Sequence, residues 1–150
     1  MSQPAIFSVS EVTRRPCRRP APTVAPALRS ARSHLRDAEE AGSAPARYVS
    51  AHLAALRAAA AVLAQRGEPQ SRPGRGCRPR SAWELLPAAA PELAEWAAFF
   101  AASASRRAAA EAGLPGAVTE EEADALLGEA RAFLAVVESL LGRGSPRRVG

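Results

Sequence analysis

Residues 45–66 read PARYVSAHLAALRAAAAVLAQR, and the fold turns on that stretch. Val49, Leu53, Leu56, Ala60 and Leu63 recur at steps of four, three, four and three, the spacing of one face of an α-helix. Arg57 and Arg66 fall off this stripe, while Ala51, Ala54, Ala55, Ala58, Ala59 and Ala61 fill most of the remaining surface. Alanine costs almost nothing in a helix and lets neighbouring helices approach closely. The spacing therefore predicts a long amphipathic helix crossing a small bundle.

Working outward, Ser43 fits the N-cap of this helix, Pro45 its first turn and Gly67 its end. Upstream, Leu28, Ala31, Leu35 and Ala38 form the inner stripe of a helix starting near Pro26 and stopped by Gly42. Arg29, Arg32, Arg36 and Glu40 lie on its outside. Downstream, EPQSRPGRGCRPR (68–80) holds too much Pro, Gly and Arg for a regular element and reads as a flexible loop. Ser81 caps a short turn, SAWELL, that Pro87 interrupts. Pro91 opens PELAEWAAFFAASASRRAAAEAG (91–113), with Leu93, Trp96, Ala97, Phe100 and Ala104 on one face. Trp83, Trp96, Phe99 and Phe100 put the heaviest part of the core here. Thr119 and Glu122 form a capping box, and the helix behind them buries Ala123, Leu127, Ala130, Leu134, Val137 and Leu141 before Gly142 ends it. The expected fold class is all-α: an up-and-down four-helix bundle over residues 26–142 with an extra short helical turn. A disordered basic arm (1–25) and a disordered tail (143–150) flank it.

Composition agrees with helices. Ala supplies about a quarter of the 150 residues, and β-branched and aromatic residues are scarce. All 20 basic residues are Arg, and there is no Lys or Asn, the signature of a GC-rich, actinobacterial-type genome. Residues 81–142 carry three Arg against ten acidic residues, so the net charge of +5 sits on the tails, the 68–80 loop and the first two helices. Basic tails of this kind hold anionic polymers loosely when they hold them at all. Cys17 and Cys77 both lie in Arg/Pro-rich segments and make no C-x-x-C pair or disulfide framework. No apolar run reaches membrane-spanning length, and the N-terminal Arg residues follow the weak apolar patch, the wrong order for a signal peptide. A cytoplasmic protein with no membrane partner is expected.

The closing run TEEEADALLGEARAFLAVVESLL (119–141), preceded by SRRAAAEAG (105–113), resembles the last helices of HEPN domains, with the T-x-E-E-A start and an Ala-x-x-Phe-Leu core. RYVSAHLAALRAAAAVLAQRG (47–67) is similar to the Tyr/Ala-rich second helix of the same superfamily. The likeness spans residues 27–142 and is nearest to small stand-alone actinobacterial HEPN proteins. The resemblance implies a helical bundle, commonly a homodimer. In catalytic members it implies a metal-independent RNase that uses an Arg-x4–6-His motif from each subunit.

Two pairs have that spacing here, Arg47/His52 and Arg29/His34, and they hold the only histidines in the chain. The chemistry is sound: a near-neutral imidazole takes the proton of a ribose 2′-OH, and a guanidinium stabilises charge on the phosphorane. Residues five apart on a helix point about 140° from each other, so the two side chains share a surface only where one sits in a terminal turn. Arg47 sits in such a turn and His52 flanks the Leu53/Leu56 stripe, which makes them the first candidates. His34, away from the Leu28/Leu35 stripe, reads as solvated. The pattern departs from catalytic members, which usually carry the motif in a later helix followed by His-x-Tyr; here Leu53 and Ala54 follow His52.

Other chemistries have less support. Glu120, Glu121, Glu122 and Asp124 are explained by a solvated helix start rather than a metal. No Glu-x-x-His, phosphate-cradling Gly loop or G-x-S-x-G occurs, and Ser103 and Ser105 have no His nearby in sequence. No metal and no cofactor are expected. The leading expectation is a non-catalytic or degenerate HEPN module that binds RNA, a nucleotide or a protein partner encoded nearby. The alternative is the dimeric, metal-independent Arg-x4-His endoribonuclease in a toxin-like role. The expected homodimer contact is an edge formed by Tyr48, His52 and Arg57.

Overall fold

The computed structural model describes residues 23–67 and 80–144. The expected N-terminal arm up to residue 22, loop residues 68–79, the tail from 145, and both cysteines lie outside the described residues. The described residues form five α-helices and one 3-10 turn, with no strand among them. The chain is all-α, as its composition requires.

Helix α1 spans Val24–Glu40 and α2 spans Ala44–Arg66. Between them, Ser43 Oγ accepts from the Ala46 N–H at 3.3 Å, the cap that its place before the Ala-rich run implied. α1 begins two residues ahead of Pro26, which is tolerated because first-turn N–H groups have no helical partner. Its stop is made by Ala41, whose backbone turns to the extended region, rather than by Gly42. Helix α3, Ala82–Ala89, is capped by Ser81 and continues through Pro87. The proline lacks an N–H and so deprives the Trp83 carbonyl of its helical donor, yet Ala90 still donates to the Leu86 carbonyl at 2.8 Å. The residue before Pro91 is what breaks the helix, as sterics require. A 3-10 turn over Pro91–Leu93 leads into α4, Ala94–Glu111. Gly113, with φ +72°, closes α4 by a Schellman motif: its N–H bonds the Ala110 carbonyl, and Leu114 bonds that of Ala109. Finally α5 runs Glu120–Gly144, two residues past Gly142, with Thr119 Oγ1 accepting from the Glu122 N–H at 3.1 Å. The Glu122 carboxylate does not return to the cap; it pairs with Arg106 instead.

Helix α2 touches each of the other four helices, and α1 also meets α5 while α3 meets α4. Its burial differs from the apolar stripe. Val49, Leu53, Leu56 and Ala60 are only half-buried, and Leu63 alone of the five is buried. The alanines assigned to the remaining surface, Ala51, Ala54, Ala55, Ala58, Ala59 and Ala61, are fully buried. A helix ringed by four others has little solvent face, and its neighbours come closest where the side chains are smallest. Around the α2–α4 contact sits an aromatic cluster of Trp83, Trp96, Phe100 and Phe133, with Trp83 stacked on Phe100 at 5.0 Å between centroids. Phe133, absent from the stripe read for its helix but part of the Ala-x-x-Phe-Leu resemblance, is fully buried, whereas Phe99, counted among the core aromatics, is 43% exposed.

Candidate functional site

His52 lies on α2 and is 2% exposed. Its ring meets the edges of Trp83 at 5.9 Å and Phe100 at 6.4 Å. Nδ1 is 2.9 Å from Ser103 Oγ, and Ser103 donates its own proton to the Phe100 carbonyl at 2.8 Å. With that proton committed, the serine oxygen accepts, so the network assigns the Nδ1–H tautomer to the imidazole. Burial, helped by the nearby positive charge of Arg107, pushes the His52 pKa down to about 4. The ring is therefore neutral at physiological pH. This pairing with a serine was not legible from neighbours in sequence, because the partners are 51 residues apart. It resembles a nucleophile–base pair only superficially: the hydroxyl donates to a backbone carbonyl instead of to the imidazole, and Ser103 is buried.

Arg47 is engaged elsewhere. Its Nη1 donates to Glu120 Oε2 at 2.8 Å and Asp124 Oδ1 at 3.0 Å, and Nη2 donates to the Ala41 carbonyl at 3.3 Å. The hydrogen bond to Glu120, then the charge of Asp124, raises its already high pKa against the opposing effect of desolvation. One guanidinium thus ties the end of α1 and the start of α2 to the first turns of α5. The acidic helix start of the sequence reading is where this arginine docks, and among the described residues no His/Cys/Asp/Glu group has a metal-holding arrangement.

The structure therefore places Arg47 and His52 on one helix but with separate partners, and no hydrogen bond joins them. Of the second pair, Arg29 is exposed and His34 Nδ1 lies 3.8 Å from Asp37 Oδ2 in an i,i+3 contact on the outside of α1. The Tyr48/His52/Arg57 edge is not a surface of this chain: Tyr48 and His52 are buried, and only Arg57 is exposed. The turn of α2 that carries them faces α4, which the stripe-based reading put elsewhere. Burial raises the Tyr48 hydroxyl above its usual pKa of 10, against the opposing effects of Ser103 and Arg106.

No described helix is long and apolar enough to cross a membrane. Neither the curated proteins nor the solved structures contain a significant match to this chain. A family model described as SAV_6107-like HEPN matches residues 38–138, from the last turn of α1 through most of α5, which is well over half of the chain. The capped order of helices, the Thr119 start and the Ala130–Leu134 core all fall inside that match, and the chain belongs to the SAV_6107-like HEPN family.

Proposed function

We propose that this HEPN-family chain is a non-catalytic regulatory module of the cytoplasm, acting as a homodimer that binds RNA or a nucleotide, or a protein partner encoded nearby. The observation that carries the reading is the separate engagement of Arg47 and His52. A general base must reach its proton, whereas His52 is enclosed by Trp83 and Phe100 and held by Ser103. A phosphorane-stabilising cation must face substrate, whereas Arg47 is committed to Glu120 and Asp124. Arg29, Arg36 and Arg57 are exposed and make no ion pair among the described residues. They provide cations for an anionic ligand through contacts that salt screens.

The Arg-x4-His spacing favours the rival reading, a metal-independent RNase using Arg47 and His52. Incubating the purified chain with end-labelled RNA in EDTA separates the two. The expected result is salt-sensitive retention of RNA on a filter, with no cleavage beyond that of His52→Gln, which keeps side-chain volume and a donor for Ser103. Cleavage by the wild type that disappears in a folded His52→Gln establishes the RNase instead.

A further inference from the structure

Between α4 and α5 runs an open groove of about 340 Å³, floored by Tyr48, with Phe99 and Ala102 on one wall and Ala125 on the other. At its mouth Arg106 and Glu122 form an ion pair at 2.6 Å. Phe99, on the groove's own rim, is among the few large apolar side chains of the described residues left in solvent. Small uncharged side chains line the groove and continue past it. On α4, Ala98, Ala101, Ala102 and Ser105 are exposed, and on α5 exposed Ala125, Gly128, Ala132 and Val136 recur at steps of three and four, on one face. Glu121 and Glu129 border the α5 row and Arg106 the α4 row, so small uncharged side chains around an exposed aromatic, rimmed by charge, make an unpartnered surface.

We propose that this surface is a two-fold contact between copies of the chain, with Phe99 of each copy seated in the other's groove against Ala102 and Ala125. Two features select a second copy as the occupant. A projecting ring beside a recess is self-complementary under a two-fold axis, the condition for an isologous contact. The groove mouth carries one charge of each sign, so a two-fold copy sets its Glu122 against Arg106 and its Arg106 against Glu122. A ligand of one sign would leave one of the two opposed. The alanine faces let the helices approach closely and extend the contact beyond the groove, towards the roughly 800 Å² per partner that a stable interface needs. This inference names the surface for the homodimer in the proposed function. It stands independently of the ligand, so its failure leaves the RNA assay to decide the non-catalytic reading.

Sedimentation equilibrium of the full chain at micromolar concentration tests it. The wild type sediments as a dimer, and Phe99→Glu raises the dissociation constant at least about thirtyfold, the effect of losing a hot-spot aromatic. Circular dichroism checks that the variant bundle is folded, and Ala125→Arg on the opposite wall gives the same loss by an independent route. Arg106→Glu and Glu122→Arg each weaken the dimer, and combining them restores it because the ring of charges is re-formed with signs exchanged. A monomeric wild type, undiminished dimers of both folded wall variants, or a double variant no tighter than the singles overturns the proposal.

Discussion

Two histidines with the same upstream arginine spacing have opposite fates, and their surroundings decide both. His34 stands on the outer side of α1 beside Asp37, while His52 is turned into aromatic rings and held by Ser103. That His52 borders the apolar stripe was legible in the sequence. That Ser103 is its partner was not, because nothing local marks a contact between helices 51 residues apart. The buried imidazole has a thermodynamic signature. Its pKa is about 4 in the fold against 6.5 for the unperturbed group, so the unfolded chain binds the extra proton between those values. Stability from this residue is fully present above pH 6.5 and is lost as pH falls towards 4, amounting to at most about 3 kcal/mol. Urea denaturation across that range should show a steeper loss for the wild type than for His52→Gln. Parallel profiles would mean that His52 titrates as a solvated residue.

At the scale of elements, the helix ends were the most readable part of the chain, since capping is local chemistry. Ser43, Ser81 and Thr119 each accept from a backbone N–H three residues on, and Gly113 takes the positive φ that its position after α4 requires. What the sequence concealed was the inward face of α2. In an Ala-rich helix, apolar periodicity marks where the large side chains are, not where the neighbours are closest. Packing inverted the assignment: Ala55, Ala58 and Ala59 are sealed, while Leu53 and Leu56 fill the edges. The consequence is a helix that tolerates truncation on its stripe better than enlargement of its alanines. Ala58→Leu should cost about 1–3 kcal/mol through overpacking, read as a lower urea midpoint with unchanged slope. Leu53→Ala, removing a half-exposed side chain, should cost less than the 2–5 kcal/mol typical of a fully buried leucine. A neutral Ala58→Leu would show that the interhelical space around α2 is loose.

On the scale of the molecule, two kinds of interaction hold the arrangement together, and they act at different places. The acidic α5 is moored to the α1–α2 hairpin by charge: Arg47 with Glu120 and Asp124, Arg32 with Glu138, and Arg131 with Glu39. Such exposed pairs add little stability one by one, but they fix which face of α5 turns inward. The charge asymmetry between the two halves of the sequence was visible from the start; that it matches the two sides of an intramolecular contact became visible only with the fold. At the opposite end, Arg66 reaches from the last turn of α2 to the Ala89 carbonyl and Glu92, whose carboxyl it holds below the usual range. The Arg47 and Arg66 contacts start from α2, and the aromatic cluster packs against its His52, on the one helix that touches all the others. Solvent can therefore reach the backbone of its buried stretch only if several neighbours leave together, which is global unfolding. Helix α3 has eight residues and an internal proline, so it can open with the loss of far fewer contacts. Native-state hydrogen exchange should accordingly find the Ala51–Leu63 amides exchanging only through global unfolding, with the α3 amides exchanging earlier through a local opening. Equal protection for α3 and α2 would make the bundle a single cooperative unit, and faster exchange in α2 would remove it from the centre of the fold.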